Sequence, residues 1–339
     1  MAEQEFKHNT LIFDTPSPNG IYWLSPNIAV FPSHTNVGII AIPDNSNSSK
    51  TDIYLIDAGP DKSVAETIYE ALTKEFKDFT LKGIFDTHSH ADHAGGNAEF
   101  IRRTGCKIYA TQKEKSSIET PELQSAVSYG AFPLPEYMAT YYLAEPTLVD
   151  QVIKSDEVIK LSDDVTIECV PLPGHYFEMI GILCHVRKEK DRPDKLSIFF
   201  TSDGIFTRTM LTKYWIPFLY NVKQFKESLD VIRTTAADYY VPSHGEVYTE
   251  ISALYELNML SVIQNEKTIL NCLKEGQKTF EDILKYIADS NEMSMRLSQF
   301  MLVGSTIRSY ITYLYNEGKI TWHFKNNKMY WKIPEREKA

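Results

Sequence analysis

The chain has 339 residues, with 45 acidic and 35 basic side chains and a formal net charge of −10. Apolar residues make up 43% and charged residues 24%, a globular balance that excludes a disordered chain, and the length suits two domains. The acid excess argues against a protein held on nucleic acid or anionic lipid by a positive field over its whole surface. The opening residues lack the basic and apolar runs of a secretory signal, and no later run approaches the roughly 20 apolar residues of a membrane span. The expected compartment is cytoplasmic.

Ile28–Phe31, Val37–Ile42 and Ile53–Asp57 are short β-branched runs separated by Pro, Asn and Ser clusters, and they read as strands. Asp44–Lys50 reads as a hairpin loop. Asp61 caps a helix with Val64, Ile68 and Leu72 on one face. Leu81–Phe85 is a strand that runs into a polar loop, followed by a helix over Ala98–Arg103. Lys107–Ala110, Val165–Val170, Gly181–Val186 and Leu196–Thr201 are further strands. Helical patterns recur at Val222–Arg233 and from Tyr248 to about Leu273. Strand pairs interrupted by single helices indicate an α/β class with mixed sheets. Cys106, Cys169, Cys184 and Cys272 are widely spaced without a CxxC pattern, so they read as reduced, buried packing residues.

From about Asn265 the texture changes. Lys267–Lys274 is helical, Thr279 and Asp282 open a helix over Phe280–Ala288, and Ser298–Asn316 is a third helix. Ile320–Ile333 then reads as a hairpin turning at Asn326-Asn327. This stretch holds 12 basic and 9 acidic side chains, against 23 and 36 upstream. The expected division is a catalytic domain at 1–264 and a small α+β domain at 265–339.

His88, His90, Asp92 and His93 stand within six residues, directly after a strand. Imidazole nitrogens and a carboxylate are the donors that borderline divalent metals such as zinc favour. Gly95 and Gly96 beside them let the backbone turn tightly below the cluster.

His88–His93, reading HSHADH, resembles the signature of the metallo-β-lactamase superfamily, and that family's later motifs follow in order. His175 ends PLPGH, Asp203 lies in FFTSDG, and His244 lies in VPSHG. The resemblance covers roughly residues 20–250, and it implies a four-layer αβ/βα sandwich of two mixed β-sheets. It also implies a binuclear site. His88, His90 and His175 would hold one ion, Asp92, His93 and His244 the other, with Asp203 bridging. Zinc is the expected metal, with iron or manganese as alternatives. In such a site the ions lower the pKa of a bridging water, and Asp92 orients it and passes its proton to the leaving group, the catalytic role expected of that residue. Asp86 and Thr87 are candidates for supporting the ligands from behind, with a loop cap as the plainer role for Asp86. His90 resembles the hydrolytic branch rather than the flavodiiron branch. Persulfide dioxygenases share the first motif around a single iron, a further alternative that the complete Asp203 and His244 set disfavours.

Residues 125–149 carry Tyr129, Phe132, Tyr137, Tyr141 and Tyr142, broken by Pro133 and Pro135, and Tyr214, Trp215 and Phe218 follow Asp203. Such an insertion suits a lid with an aromatic wall, which favours an acyl chain, lactone or thioester over a polyanion. Interhelical packing or a homodimer contact is the alternative. Tyr129, Phe132, Tyr176, Tyr214 and Trp215 are the candidate substrate contacts, and His34 is a candidate for the rim. No basic stretch like the glutathione-binding element of glyoxalase II is present.

The tail resembles a winged helix. That combination is similar to a lactamase-like group that includes a single-strand-specific endoribonuclease, so metal-dependent RNA cleavage guided by the tail is the second hypothesis. Only Arg308 is charged in the third helix, whereas a groove-reading helix normally presents several polar or basic side chains. Lys319, Lys325, Lys328, Lys332, Trp322 and Trp331 form a small basic-aromatic patch on the wing. A scaffold role for the tail is the favoured reading. The expected function is hydrolysis of a small ester, thioester or lactone by a binuclear metal enzyme.

Overall fold

A computed structural model describes residues 10–11, 18–43, 50–138, 143–187, 196–214 and 216–335. Tyr141, Tyr142, Trp215 and nearly all of the hairpin loop expected at Asp44–Lys50 lie outside them.

After an edge piece, β1 (Thr10–Leu11), the strands β2 (Tyr22–Trp23), β3 (Ile28–Phe31), β4 (Val37–Pro43) and β5 (Lys50–Ile56) run as antiparallel neighbours. Helix α1 (Lys62–Glu75) crosses over to β6 (Asp78–Phe85), which lies parallel to β5. The Asp61 side chain accepts from the Val64 amide at its start, as expected. Helices α2 (Ala91–Ala94) and α3 (Asn97–Thr104) lead to β7 (Lys107–Ala110); α4 (Gln112–Glu119) and α5 (Glu122–Tyr129) precede β8 (Gln151–Val152). Both strands are parallel additions, completing a first sheet in the order β2 to β8.

A second sheet begins with β9 (Val158–Lys160), β10 (Val165–Pro171), β11 (Ile180–Val186) and β12 (Leu196–Ser202), each antiparallel to the next. Helices α6 (Arg208–Lys213) and α7 (Val222–Thr234) carry the chain to β13 (Tyr239–Pro242), parallel to β12. Strand β14 (Val247–Tyr248) turns back and pairs with β1. The sequence pattern suggests a helix from Tyr248; the pairing of β14 with β1 and β13 claims that residue instead, and α8 spans Ser252–Lys274.

Three apolar layers explain why these strands read as unbroken apolar runs: both faces are covered. Ile28, Val30, Ile40 and Phe85 meet Ile167, Ile182, Ile198 and Phe200 between the sheets. Ala29, Ile39 and Leu55 face α1 and α3 on the other side of the first sheet. Leu172, Phe199 and Tyr240 face α7 and α8 outside the second. The result is the expected four-layer sandwich of two mixed sheets.

The tail comprises α9 (Phe280–Ser290), α10 (Leu297–Asn316), β15 (Thr321–Lys325) and β16 (Lys328–Lys332). Thr279 and Asp282 form the expected capping box, and Asn326 and Asn327 both adopt positive φ at the hairpin turn, at 51° and 59°. The division expected after residue 264 falls inside α8, which is continuous. Buried residues of α8, α9 and α10, among them Ile269, Ile283, Ile307 and Tyr310, belong to the same apolar cluster as Phe225 and Leu229 of α7. Replacing the fully buried Ile307 by Ala is expected to lower stability by about 2–5 kcal/mol. Urea unfolding of that variant should remain a single transition; two separated transitions would contradict a shared core.

Candidate metal centre

Strand ends on one edge of the sandwich deliver the candidate residues. Strand β6 ends at Phe85 and opens the loop that carries His88 and His90. Asp92 and His93 stand in α2, His175 follows β10, Asp203 directly follows β12 and His244 follows β13. The close approach needed here depends on two glycines. A Cβ on Gly95 would sit 2.0 Å from the Pro60 carbonyl oxygen, and one on Gly96 would sit 2.2 Å from that of Ala58. Their role is to admit the neighbouring strand end rather than to make a left-handed turn.

All seven predicted ligand residues converge. His88, His90, His175 and Asp203 form one group of donor atoms, and Asp92, His93 and His244 a second, each within 4.8 Å. His90 Nδ1 is 2.9 Å from His88 Nε2 and 3.0 Å from His175 Nε2. Asp203 reaches both groups: its Oδ2 is 3.3 Å from His175 Nε2 and its Oδ1 is 3.5 Å from His244 Nε2. Asp92 Oδ2 lies 3.4 Å from His244 Nε2.

The rings are held from behind. The Nδ1–H of His93 donates to Asp57 Oδ2 at 2.7 Å, that of His175 to the Phe218 carbonyl at 2.9 Å, and that of His244 to the His34 carbonyl at 2.7 Å. For His88, Nδ1 faces the hydroxyls of Thr87 at 3.2 Å and Ser202 at 3.3 Å. These partners leave the Nε2 lone pairs of the four rings directed inward. His90 Nδ1 faces two imidazole nitrogens at once and the buried His93 Nε2 has no hydrogen-bond partner, as in a set of donors arranged around a cation. Donors bonded tetrahedrally to zinc at about 2.0–2.1 Å lie roughly 3.3 Å apart, so the donor set fits a divalent ion.

Electrostatics set the two groups apart. Burial, then the neighbouring imidazoles, pushes His88 well below the ordinary histidine range. Burial, then His175, pushes His90 down to about 3, and His175 is lowered chiefly by burial. These are neutral rings, the form that ligates metal. In the second group burial is outweighed by opposite charge. His93 rises well above its usual value through Asp57 and Asp92, and His244 rises to about 10 through Asp203 and Asp92. The Asp203 carboxyl is held well below its usual range by His244 and His175 against the effect of burial.

Asp57 is a residue of the site that the sequence reading did not single out. It accepts from the Thr87 amide at 2.8 Å, the Thr87 hydroxyl at 3.0 Å and His93, while adopting φ 62°. The signal was available: β5 and β6 are parallel neighbours, so a carboxylate just past the end of one stands beside a motif at the end of the other. Glu114, fully buried, accepts from the amide and hydroxyl of Ser89 and from the Glu178 amide, tying the HSHADH loop to the segment after His175. Asp86 instead accepts from the Asn97 side-chain amide at 2.6 Å.

The candidate substrate contacts are placed less uniformly. Tyr176 is only 2% exposed and packs its ring 4.3 Å from that of His90, against a candidate ligand. Phe132 is 87% exposed, Tyr129 is half-buried, and Tyr214 lies under the Lys213 ammonium. The insertion reaches the site through Gln124, whose amide donates to the Ser89 carbonyl. Phe206 and Phe218 lie against His175, with Phe218 also beside His90. The exposed His34 ring is 5.4 Å from that of His244, at the rim. All four cysteines are free and buried.

Residues 31–185 match the profile of the metallo-beta-lactamase superfamily. A hydroxyacylglutathione hydrolase of Polaromonas sp. is 27% identical over 136 residues, 40% of this chain and 37% of that relative, so the match spans well under half of its length. An atrochrysone carboxyl ACP thioesterase of Emericella nidulans is 20% identical over 306 residues, 86% of this chain and 83% of the relative. A beta-lactamase domain protein from Burkholderia ambifaria superposes with a TM-score of 0.71 at 14% identity, covering 96% of this chain and 99% of that one. This likeness extends the agreement in fold over nearly the whole chain.

Changing Asp57 to Asn keeps a residue that tolerates positive φ but removes the carboxylate behind His93. Metal affinity should fall about 10–100-fold, measured by chelator competition, with the melting temperature of the metal-free protein little changed. Unaltered affinity would remove Asp57 from the site.

Proposed function

We propose that this chain, a member of the metallo-beta-lactamase superfamily of hydrolases, cleaves small thioesters, esters or lactones with two zinc ions. The observation that carries this reading is the seven-donor set in two facing groups, with Asp203 within reach of both. His88, His90 and His175 would hold one ion and Asp92, His93 and His244 the other. When bound, the ions supply a nucleophilic water near neutral pH and polarise the substrate oxygen. The protein's residues do the rest. Asp57, Phe218 and His34 fix the ring tautomers, and Asp92, a third exposed while the rings beside it are nearly covered, is the carboxylate open enough to take and return a proton. Thr35 lies 3.5 Å from Asp92 Oδ2 and limits its rotation.

The substrate class is supported by the apolar rings of Phe206 and Phe218 beside His175, which suit a neutral acyl group, and by the names of the thioester-cleaving relatives. Four buried free cysteines suit a reducing, cytosolic setting. Exposed Trp322 and Phe324 beside Lys325 and Lys328 favour the second reading, single-stranded RNA cleavage with the tail as a guide. Against it, α10 is committed to internal packing, with Val303, Ile307, Tyr310 and Leu314 all buried.

Protein carrying two zinc equivalents should hydrolyse members of a thioester and lactone panel, read by thiol release and by acid production. Activity confined to single-stranded RNA would replace this reading with the second. Asp203→Ala should lose bound metal and rate together, by at least about 100-fold, and full activity in that variant would remove Asp203 from its bridging position.

A further inference from the structure

The loop at residues 218–222 touches the candidate metal centre on one side and the C-terminal helix on the other. On the metal side, the Phe218 carbonyl receives the His175 Nδ1–H at 2.9 Å. The Tyr220 amide donates to the His175 carbonyl at 3.2 Å, and the Asn221 amide to the Gly174 carbonyl at 2.9 Å. Three hydrogen bonds therefore set both the backbone and the ring of this ligand. The turn that carries His175 is also packed closely against α7. Gly174 sits at φ +125°, and a Cβ there would lie 2.2 Å from the Phe225 nitrogen in α7.

On the far side, α10 supplies two hydroxyls. The buried Thr306 accepts from the Leu219 amide at 3.2 Å while donating to the Leu302 carbonyl at 3.0 Å, so its hydroxyl is fully used. Ser309 accepts from the Val222 amide at 3.2 Å and donates to the Tyr220 carbonyl at 2.9 Å. Val222 is the first residue of α7, where the amide has no intrahelical acceptor. Leu219, Val222 and Thr306 are each at most 1% exposed, so water cannot replace the Thr306 hydroxyl at the Leu219 amide without rearrangement.

We propose that Thr306 and Ser309 are positioning residues of the metal centre, through which α10 holds the 218–222 loop and thereby orients His175. The tail then acts on the same site to which a metal is assigned above, and the proposal rests on that assignment. Coupling of this kind is reciprocal: metal on His175 steadies the loop, and a steadied loop favours metal.

The test compares the wild-type chain with Thr306→Val/Ser309→Ala, and with Tyr315→Ala as a control on the exposed side of the same helix. In metal-free protein, amide hydrogen exchange at Leu219, Tyr220 and Val222 should accelerate about 10-fold in the double variant and stay unchanged in the control. In zinc-loaded protein, one of the two ions should be lost to chelator about 10-fold faster in the double variant, with kcat reduced more than KM changes. Thr306→Ser should restore both. Addition of zinc to the wild type should slow exchange at Leu219, an arm that needs no variant. Should the double variant fail to fold, Ser309→Ala, at a partly exposed site, carries the same comparison. Equal exchange and equal metal retention in wild type and variant overturn the proposal. Fewer than one ion per wild-type chain overturns the binuclear reading instead, and the exchange rates in metal-free protein then still decide whether α10 holds the loop.

Discussion

Several imidazole nitrogens can face one another inside a protein only if each ring is anchored by its other nitrogen. Left free, a buried histidine would rotate to find water or share a proton with its neighbour. For His93, His175 and His244 the anchor comes from outside the motif that supplies the ligand. Asp57 follows the neighbouring strand, the Phe218 carbonyl comes from the stretch before α7, and the His34 carbonyl from the loop between β3 and β4. The site is thus a property of how the two sheets meet. The sandwich supplies the rigidity, since strands covered by Ile40, Ile182 and Phe200 between the sheets and by Ile39 and Phe199 outside them leave little slack with which to misplace a ring.

The same constraint explains the distribution of charge. Asp57, Asp92 and Asp203 lie among rings that are themselves buried, and they raise His93 and His244 while those rings lower Asp92 and Asp203. Three acids against five imidazoles make a pocket whose balance is completed by cations. Part of the acidity that the whole-chain count assigned to the catalytic part is therefore internal. It is matched by ligand chemistry and not displayed as a surface field.

What could be read from the sequence, and what could not, separates along physical lines. The strands Ile28–Phe31 and Val37–Pro43 announce themselves through β-branched runs, and the tail through the Thr279–Asp282 box and the Asn326-Asn327 turn, because each signal is local. The ligands were legible because metal chemistry admits few side chains. The anchors were harder. A backbone carbonyl such as Phe218 O has no residue signature, and Glu114 sits in a helix, Gln112–Glu119, whose polar sequence hides its burial. The burial of Tyr176 against His90 was not legible either, because adjacency to a ligand in sequence says nothing about which side of the ring it occupies. The cut at residue 264 followed a change in composition, while the backbone continues through it as one helix.

The two donor groups have a mechanical consequence. Each draws on both halves of the sandwich: His88 and His90 from the first sheet's loops join His175 and Asp203 from the second, and Asp92 and His93 join His244. Ions seated there would cross-link the sheets, as a pair of disulfides does in a secreted domain, in a chain whose cysteines are all free. The two sheets could not then slide or part without breaking coordination, so the catalytic centre would double as the rivet of its own scaffold.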